Sequence, residues 1–368
     1  MILDDHAVAR LQAIGLTAAM RNHIEALASS APGDAGAPFL RRITELQRDA
    51  LTLHDGENEH PARALPALLA ATSDGDGLAV GDWVFASCNR HGEWWVHRRV
   101  PPLAQLARRL HDGRDKVTRA VIVSNVDTAL LVMGLDHDFN LRRLERYLAL
   151  ARLSQVAAVV LLTKVDLCDP VYAERRLHEV AALLPPGAEV LALNALGDEP
   201  RDALAPWLAA GQTLVLVGSS GAGKSTLTNA LLGSHRQDTG ASRSGDSRGR
   251  HTTTARSLHV VPGGACVIDT PGLRTLRLDV DADTLGTVFD DIGRLSSQCR
   301  FRDCRHQDEP GCAVREQAPP ERLRNFQKLQ REILRDAMSA LERQAQRNEW
   351  KTRSKAARAR DRAKREGG

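Results

Sequence analysis

Gly218-Ser219-Ser220-Gly221-Ala222-Gly223-Lys224-Ser225 carries the densest chemistry in this sequence. The spacing is G-x-x-x-x-G-K-S, after apolar TLVLVG and before Leu227, Ala230, Leu231 and Leu232 at helical intervals. That strand–loop–helix context is what a phosphate cradle needs. Its glycines let backbone N–H groups close around phosphate oxygens, and the helix N-terminus adds its dipole. Lys224 is expected to reach the terminal phosphates and to act catalytically there. The Ser225 hydroxyl is expected on Mg²⁺, and Thr226 completes the loop.

A phosphate loop does not choose the base, but two other segments do. VVLLTKVDL ends a buried strand with Thr163-Lys164-Val165-Asp166, one residue from N-K-x-D. The Asp166 carboxylate can accept from guanine's ring N–H and exocyclic amine together, a donor pair adenine lacks. The Lys164 stem can lie along the base face. Thr163 in place of Asn predicts a weaker tie to the phosphate loop and modest nucleotide affinity. AEVLAL then runs into Asn194-Ala195, where a backbone N–H can meet the guanine carbonyl. Asp269-Thr270-Pro271-Gly272 supplies the metal side: Asp269 holds Mg²⁺ through water, and the Gly272 N–H senses the terminal phosphate.

From Arg236 to Arg250 only Ala241 is apolar. Such a segment cannot pack and is expected to order only on a ligand. One threonine after it would then cap Mg²⁺ as a first switch does; Thr253 is placed in that role, with Thr252 and Thr254 as alternatives. The base-reading motifs precede the phosphate loop, the reverse of the usual order, so the domain reads as circularly permuted. Its chain then feeds directly into Cys299, Cys304, His306 and Cys312, spaced C-x4-C-x-H-x5-C. Three thiolates and one imidazole make a closed tetrahedral set, suited to one structural zinc with no open catalytic position.

These groups need a scaffold. The chain has 368 residues, 42% hydrophobic and 26% charged, enough for a real core and for more than one domain. No run approaches a membrane span, and the polar start predicts no secretory leader. A soluble, cytoplasmic protein is expected. Ten Lys/Arg against four Asp/Glu from residue 341 onward give +6, so the preceding 340 residues sum to −2. That asymmetry points to a polyanionic partner.

Residues 1–39 hold one amphipathic stretch (Val8, Leu11, Ile14) and a small-residue linker, and are expected to be a mobile extension. Short alternating strands over 40–115, with Trp83, Trp94, Trp95 and many arginines, predict a small antiparallel barrel of OB type. Its tryptophans are either a stacking surface for nucleic acid or the barrel's own core. Over 116–280, continuous Val/Leu strands alternate with helices, an α/β domain with a parallel sheet. Residues 281–345 read as helical around the cysteines, and 346–368 as a basic tail.

A small barrel, a permuted GTPase with GSSGAGKST, GRHTTT and DTPG, and then the C-x4-C-x-H-x5-C cluster resemble the RsgA (YjeQ) family of ribosome-biogenesis GTPases. GDWV and NLRRLERYL add to the likeness, which covers roughly residues 40–340. The resemblance implies an OB fold that binds RNA, a zinc domain, and late maturation of the small ribosomal subunit and its rRNA. It further implies GTP hydrolysis stimulated by that subunit, with GTP and GDP bound in turn. Leu273 occupies the position where many GTPases carry a water-orienting Gln, so intrinsic hydrolysis is expected to be slow. His251 is the candidate to position the water once the switch is ordered. A monomer acting away from membranes is expected. The alternatives are a nucleotide-regulated RNA-binding module with vestigial hydrolase activity and an ATP-driven nucleic-acid enzyme. Intact Lys224, Ser225 and Asp269 weigh against the first, Asp166 against the second.

Overall fold

The computed structural model describes residues 4–29, 39–47, 50–71, 76–111, 117–185, 187–233, 256–270, 278, 285–286, 288–338 and 342. The chain forms two compact units, residues 1–108 with 119–278, and residues 109–118 with 279–368.

The first unit opens with helices α1 (Asp5–Gln12) and α2 (Ala18–Ser29). The Asp4 carboxylate caps α1 by accepting the Ala7 N–H at 2.6 Å, satisfying one of the donors a helix start leaves open. Leu11, Ile14, Leu16, Met20 and Ile24 are buried. The expected mobile extension is therefore corrected for residues 5–29: Val8 and Leu11 are the inward face of a packed helix, and Ile14 is buried in the turn that follows it. The linker residues 30–38 lie outside the described residues.

A barrel follows: β1 (Phe39–Leu46), β2 (Leu51–His54), β3 (Glu59–Ala64), helix α3 (Pro66–Ala71), β4 (Trp83–Cys88) and β5 (Trp94–Arg99). Strands pair in the order β1-β2-β3-β5-β4 and close through β1–β4; β3–β5 alone is parallel. That is an OB-type five-stranded barrel. Ile43, Leu53, Val84, Ala86 and Val96 fill it. Trp83 is core, whereas Trp94 is half-buried and meets the exposed Phe39 ring edge-on at 6.0 Å. A separate ribbon pairs β6 (Gln105–His111) with β7 (Val117–Ser124).

The α/β part runs β8 (Thr128–Gly134), α4 (Leu141–Leu153), β9 (Ala157–Thr163), α5 (Pro170–Ala181), β10 (Glu189–Ala192), α6 (Glu199–Ala203), β11 (Thr213–Gly218), α7 (Lys224–Leu232), β12 (Ser257–Val260) and β13 (Cys266–Asp269). The order β10-β9-β8-β11-β13 is parallel throughout. Antiparallel β12 then joins β13 to β1 of the barrel. Every residue of β8 and β11 is buried, which is why these strands read as unbroken apolar runs. Leu130, Leu161 and Leu216 pack with Leu227 and Leu231 of α7 on one face. β9 and β10, which end in the base-reading segments, precede β11, the strand that ends in the phosphate loop, so the domain is circularly permuted.

Arg42, fully buried, locks this unit together. Its guanidinium donates to the carbonyls of Ile14, Gly81 and Asn125 and to the Thr213 hydroxyl, the last two at 2.9 Å, and stacks 5.3 Å from the Trp83 ring centroid. One side chain thus satisfies groups from the α1–α2 turn, the barrel and the start of β11.

The second unit contains α8 (Asp290–Ser296), α9 (Ala313–Gln317) and α10 (Pro320–Ala337). Leu323, Phe326, Leu329 and Ile333, at helical spacing on α10, are buried with Ile292 and Val314, and the Phe289 and Phe326 rings meet at 5.4 Å. No helix among the described residues is long and apolar enough to cross a membrane.

Candidate active site and metal centre

The carboxyl ends of the parallel strands are where an open α/β sheet binds its ligand, and the motif residues collect there. β11 delivers Gly218–Gly223, β9 delivers Thr163–Asp166, β13 ends at Asp269 and β10 leads to Asn194-Ala195. Gly218 is required by space: a Cβ there would fall on the Val132 carbonyl. Gly223 has φ +97°, a left-handed conformation that glycine adopts without penalty. The chain then turns into α7, with Lys224 and Ser225 in its first turn.

Lys224 is buried, and its ammonium donates to the carbonyls of Gly218 at 3.0 Å and Ser219 at 2.7 Å. Burial lowers its pKa, while the charges of Asp269 and Asp138 work to raise it. Asp269 is itself buried, and the adjacent Thr270 hydroxyl donates to the Leu216 carbonyl at 2.6 Å. A buried cation and a buried carboxylate thus lie close enough to feel each other's charge, the pairing a phosphate–Mg²⁺ site uses.

Thr163 ties the base-reading loop to the phosphate loop. Its side chain is fully buried and its hydroxyl donates to the Ala222 carbonyl at 2.7 Å. The shorter side chain thus makes one bond between the two loops, where the sequence predicts a tie weaker than Asn would give. Lys164 follows with φ +65°. Asp166 is exposed on a single 3₁₀ turn, Val165–Leu167. The Asn194 carboxamide oxygen accepts the Leu196 N–H at 2.9 Å and so shapes the turn at buried Ala195.

His251, Thr252, Thr253, Thr254, Gly272 and Leu273 lie outside the described residues, as do the polar segment 236–250 and the tail from 343. Reading by motif missed Asp136 and Asp138, which bond Lys164 and Ser219 respectively. Their signal was the polar Asp-His-Asp interruption between an apolar strand and an amphipathic helix.

In the second unit, Cys299, Cys304, His306 and Cys312 place one donor atom each within 4.8 Å of one another. Cys299 Sγ lies 3.9 Å from Cys312 Sγ and 3.7 Å from His306 Nδ1, and Cys312 Sγ is 3.4 Å from that nitrogen. A tetrahedral ion with metal–sulfur bonds of about 2.3 Å needs sulfur–sulfur edges of roughly 3.8 Å, so the set can hold a metal. His306 Nε2 meets the Ser296 hydroxyl at 3.3 Å, and Gln327 of α10 donates to the His306 carbonyl at 2.6 Å. These outer contacts orient the ring toward the thiols.

The RsgA GTPase family matches residues 104–279. A relative from Opitutus terrae, named small ribosomal subunit biogenesis GTPase RsgA, is 42% identical over 87% of this chain and 91% of its own length. This chain belongs to the RsgA GTPase family. Same-named relatives from Xanthomonas campestris and Xylella fastidiosa are 45% and 48% identical, over 74% and 69% of this chain and 74% and 73% of their own lengths. Among solved structures, YjeQ from Thermotoga maritima aligns with TM-score 0.58 at 23% identity, covering 80% of this chain and 98% of that one. YloQ, described as a circularly permuted GTPase, aligns at 0.53 and 24%, covering 82% and 98%. They share the fold: barrel, permuted sheet and helical end. As a member of the RsgA family, the protein is a GTPase, a hydrolase acting on GTP.

Proposed function

We propose that this GTPase binds the small ribosomal subunit and its rRNA in the cytoplasm, as a monomer, and assists late maturation of that subunit. Hydrolysis is stimulated by the subunit and times release. What carries the reading is the convergence of Lys224, Asp269 and the Thr163–Asp166 loop at one sheet edge in a chain whose relatives bear that name.

Gly218–Thr226 cradle the phosphates, with Lys224 on the terminal ones. Asp166 reads the guanine edge, Lys164 covers its face, and Asn194-Ala195 meet its carbonyl. Ser225 and Thr253, or a neighbouring threonine, hold Mg²⁺ with Asp269 behind it; when bound, the ion neutralises charge on the terminal phosphates. Gly272 senses the terminal phosphate and His251 orients the water. Cys299, Cys304, His306 and Cys312 hold one structural zinc. Residues 40–115, 116–280 and 281–345 are the barrel, GTPase and zinc domains, and the barrel, zinc domain and tail 346–368 dock on RNA.

Co-sedimentation with purified small subunits tests this. Binding is expected with a non-hydrolysable GTP analogue and is lost with GDP; equal binding in both states refutes the release cycle. His251→Ala is expected to bind normally but lose stimulated turnover, and full stimulated activity removes His251 from its role.

A further inference from the structure

Between β8 and α4 runs Leu135-Asp136-His137-Asp138-Phe139-Asn140, a loop outside every GTPase motif used above. Asp136 Oδ2 accepts from the Lys164 ammonium at 2.7 Å. His137 Nδ1 lies 3.3 Å from the same Oδ2, and the other oxygen accepts the Asp138 N–H at 3.1 Å. Asp138, buried, accepts from the Ser219 hydroxyl and, at 2.6 Å, from Arg143, while its second oxygen takes the Gly134 N–H at 3.2 Å. Phe139 lies under the Arg176 guanidinium of α5, 4.6 Å from its ring centroid. A single short loop therefore grips the base-reading loop, the phosphate loop and α5.

A second observation concerns the lysine itself. Lys164 holds φ +65°, a backbone conformation that a non-glycine residue adopts only when its surroundings enforce it. Its stem runs beside Gly134, where a Cβ would stand 3.4 Å from Lys164 Cδ and Cε. Gly134 leaves the track and Asp136 anchors its end.

We propose that Asp136 and Asp138 are positioning residues for nucleotide binding. Asp136 holds Lys164 with its stem already extended along the face where guanine stacks, and Asp138 holds Ser219 at the mouth of the phosphate loop. The loop thus presets both halves of the site, and the nucleotide does not have to order them. This rests on the reading of Lys164 and Gly218–Ser225 as base and phosphate contacts. A flexible lysine left free would lose roughly tenfold in affinity when immobilised on binding.

The test is a fluorescent-GDP titration with steady-state GTP hydrolysis on the full chain: wild type, Asp136→Ala, Asp136→Asn, Lys164→Ala and the Asp136→Ala/Lys164→Ala double variant. Asp136→Ala is expected to bind GDP about tenfold more weakly and to raise KM alike, with kcat nearly unchanged. Asp136→Asn still accepts from the ammonium and recovers most of that, to about threefold. The double variant should bind no more weakly than Lys164→Ala, because Asp136 acts through that side chain. Additive losses, or unchanged GDP affinity in Asp136→Ala, overturn the proposal. If Asp136→Ala does not fold, Asp136→Asn decides: wild-type affinity there also overturns it. A wild-type chain that bound ADP as well as GDP would bring down the guanine reading itself, and this proposal with it.

Discussion

Replacing Thr163 with valine keeps the volume and branching of the side chain and removes one hydroxyl. In the structure that hydroxyl is buried and donates to the Ala222 carbonyl, inside the phosphate loop, at 2.7 Å. Ala222 is buried as well, so no water can replace the donor. An acceptor stranded in this way costs about 1–3 kcal/mol. Urea unfolding should register that loss. If half of it reports the loosened phosphate loop, GDP affinity falls about 2- to 12-fold. Fluorescent-GDP titration reads this directly. Thr163→Ser, which keeps the hydroxyl but opens a methyl-sized gap, should lose stability yet retain most of the affinity. A valine variant that bound GDP as tightly as wild type would refute the claim that this bond holds the two loops in register.

Arg42→Met should destabilise the first unit by about 3–5 kcal/mol in urea unfolding, since it strands two buried carbonyls, the half-buried Asn125 carbonyl and the Thr213 hydroxyl; a near-neutral result would contradict the locking role. Zinc analysis by atomic emission should find about one equivalent per chain, and Cys312→Ser should bring it toward zero with loss of helical signal; full zinc retention would contradict the four-ligand set. Arg322 of α10 bonds the Asp291 carboxylate of α8 at 2.5 and 2.8 Å. Burial works to raise that carboxyl, but the Arg322 hydrogen bonds and charge outweigh it and hold its pKa below the usual value. The pair therefore stabilises at neutral pH, and its contribution fades as pH falls below about 4. Asp291→Asn should flatten that part of the acid-denaturation profile, and an unchanged profile would count against it.

The nucleotide site was legible in sequence because its chemistry is local. A phosphate loop is contiguous, and the glycines at 218 and 223 answer to backbone geometry that the motif encodes. The C-x4-C-x-H-x5-C cluster was legible for the same reason. Contacts between segments distant in the chain were not. Thr163 and Ala222 are 59 residues apart, and only the adjacency of β9's end to the phosphate loop turns a shorter side chain into a sufficient one. Nothing in the local sequence marks Arg42 for burial, which depends on Ile14, Asn125 and Thr213 arriving from three other segments. The helices over 5–29 had a visible apolar stripe, but what the turn between them meets comes from other segments: Arg42 donates to the Ile14 carbonyl and the Cys266 thiol to that of Ala13. Trp83 illustrates the same limit: its type fitted a nucleic-acid face equally well, and what buries it is its place beside Arg42, on the opposite face of β4 from Val84 and Ala86 of the barrel core.

Steady-state GTP hydrolysis at low salt, with and without purified small ribosomal subunits, is the most direct measure of the proposed function. Slow turnover alone and acceleration of about a hundredfold or more by subunits are expected, because a chain with Leu273 in place of a water-orienting glutamine needs its catalytic geometry completed from outside. Turnover that stayed slow and unchanged by subunits would leave a GTPase and remove its ribosomal partner.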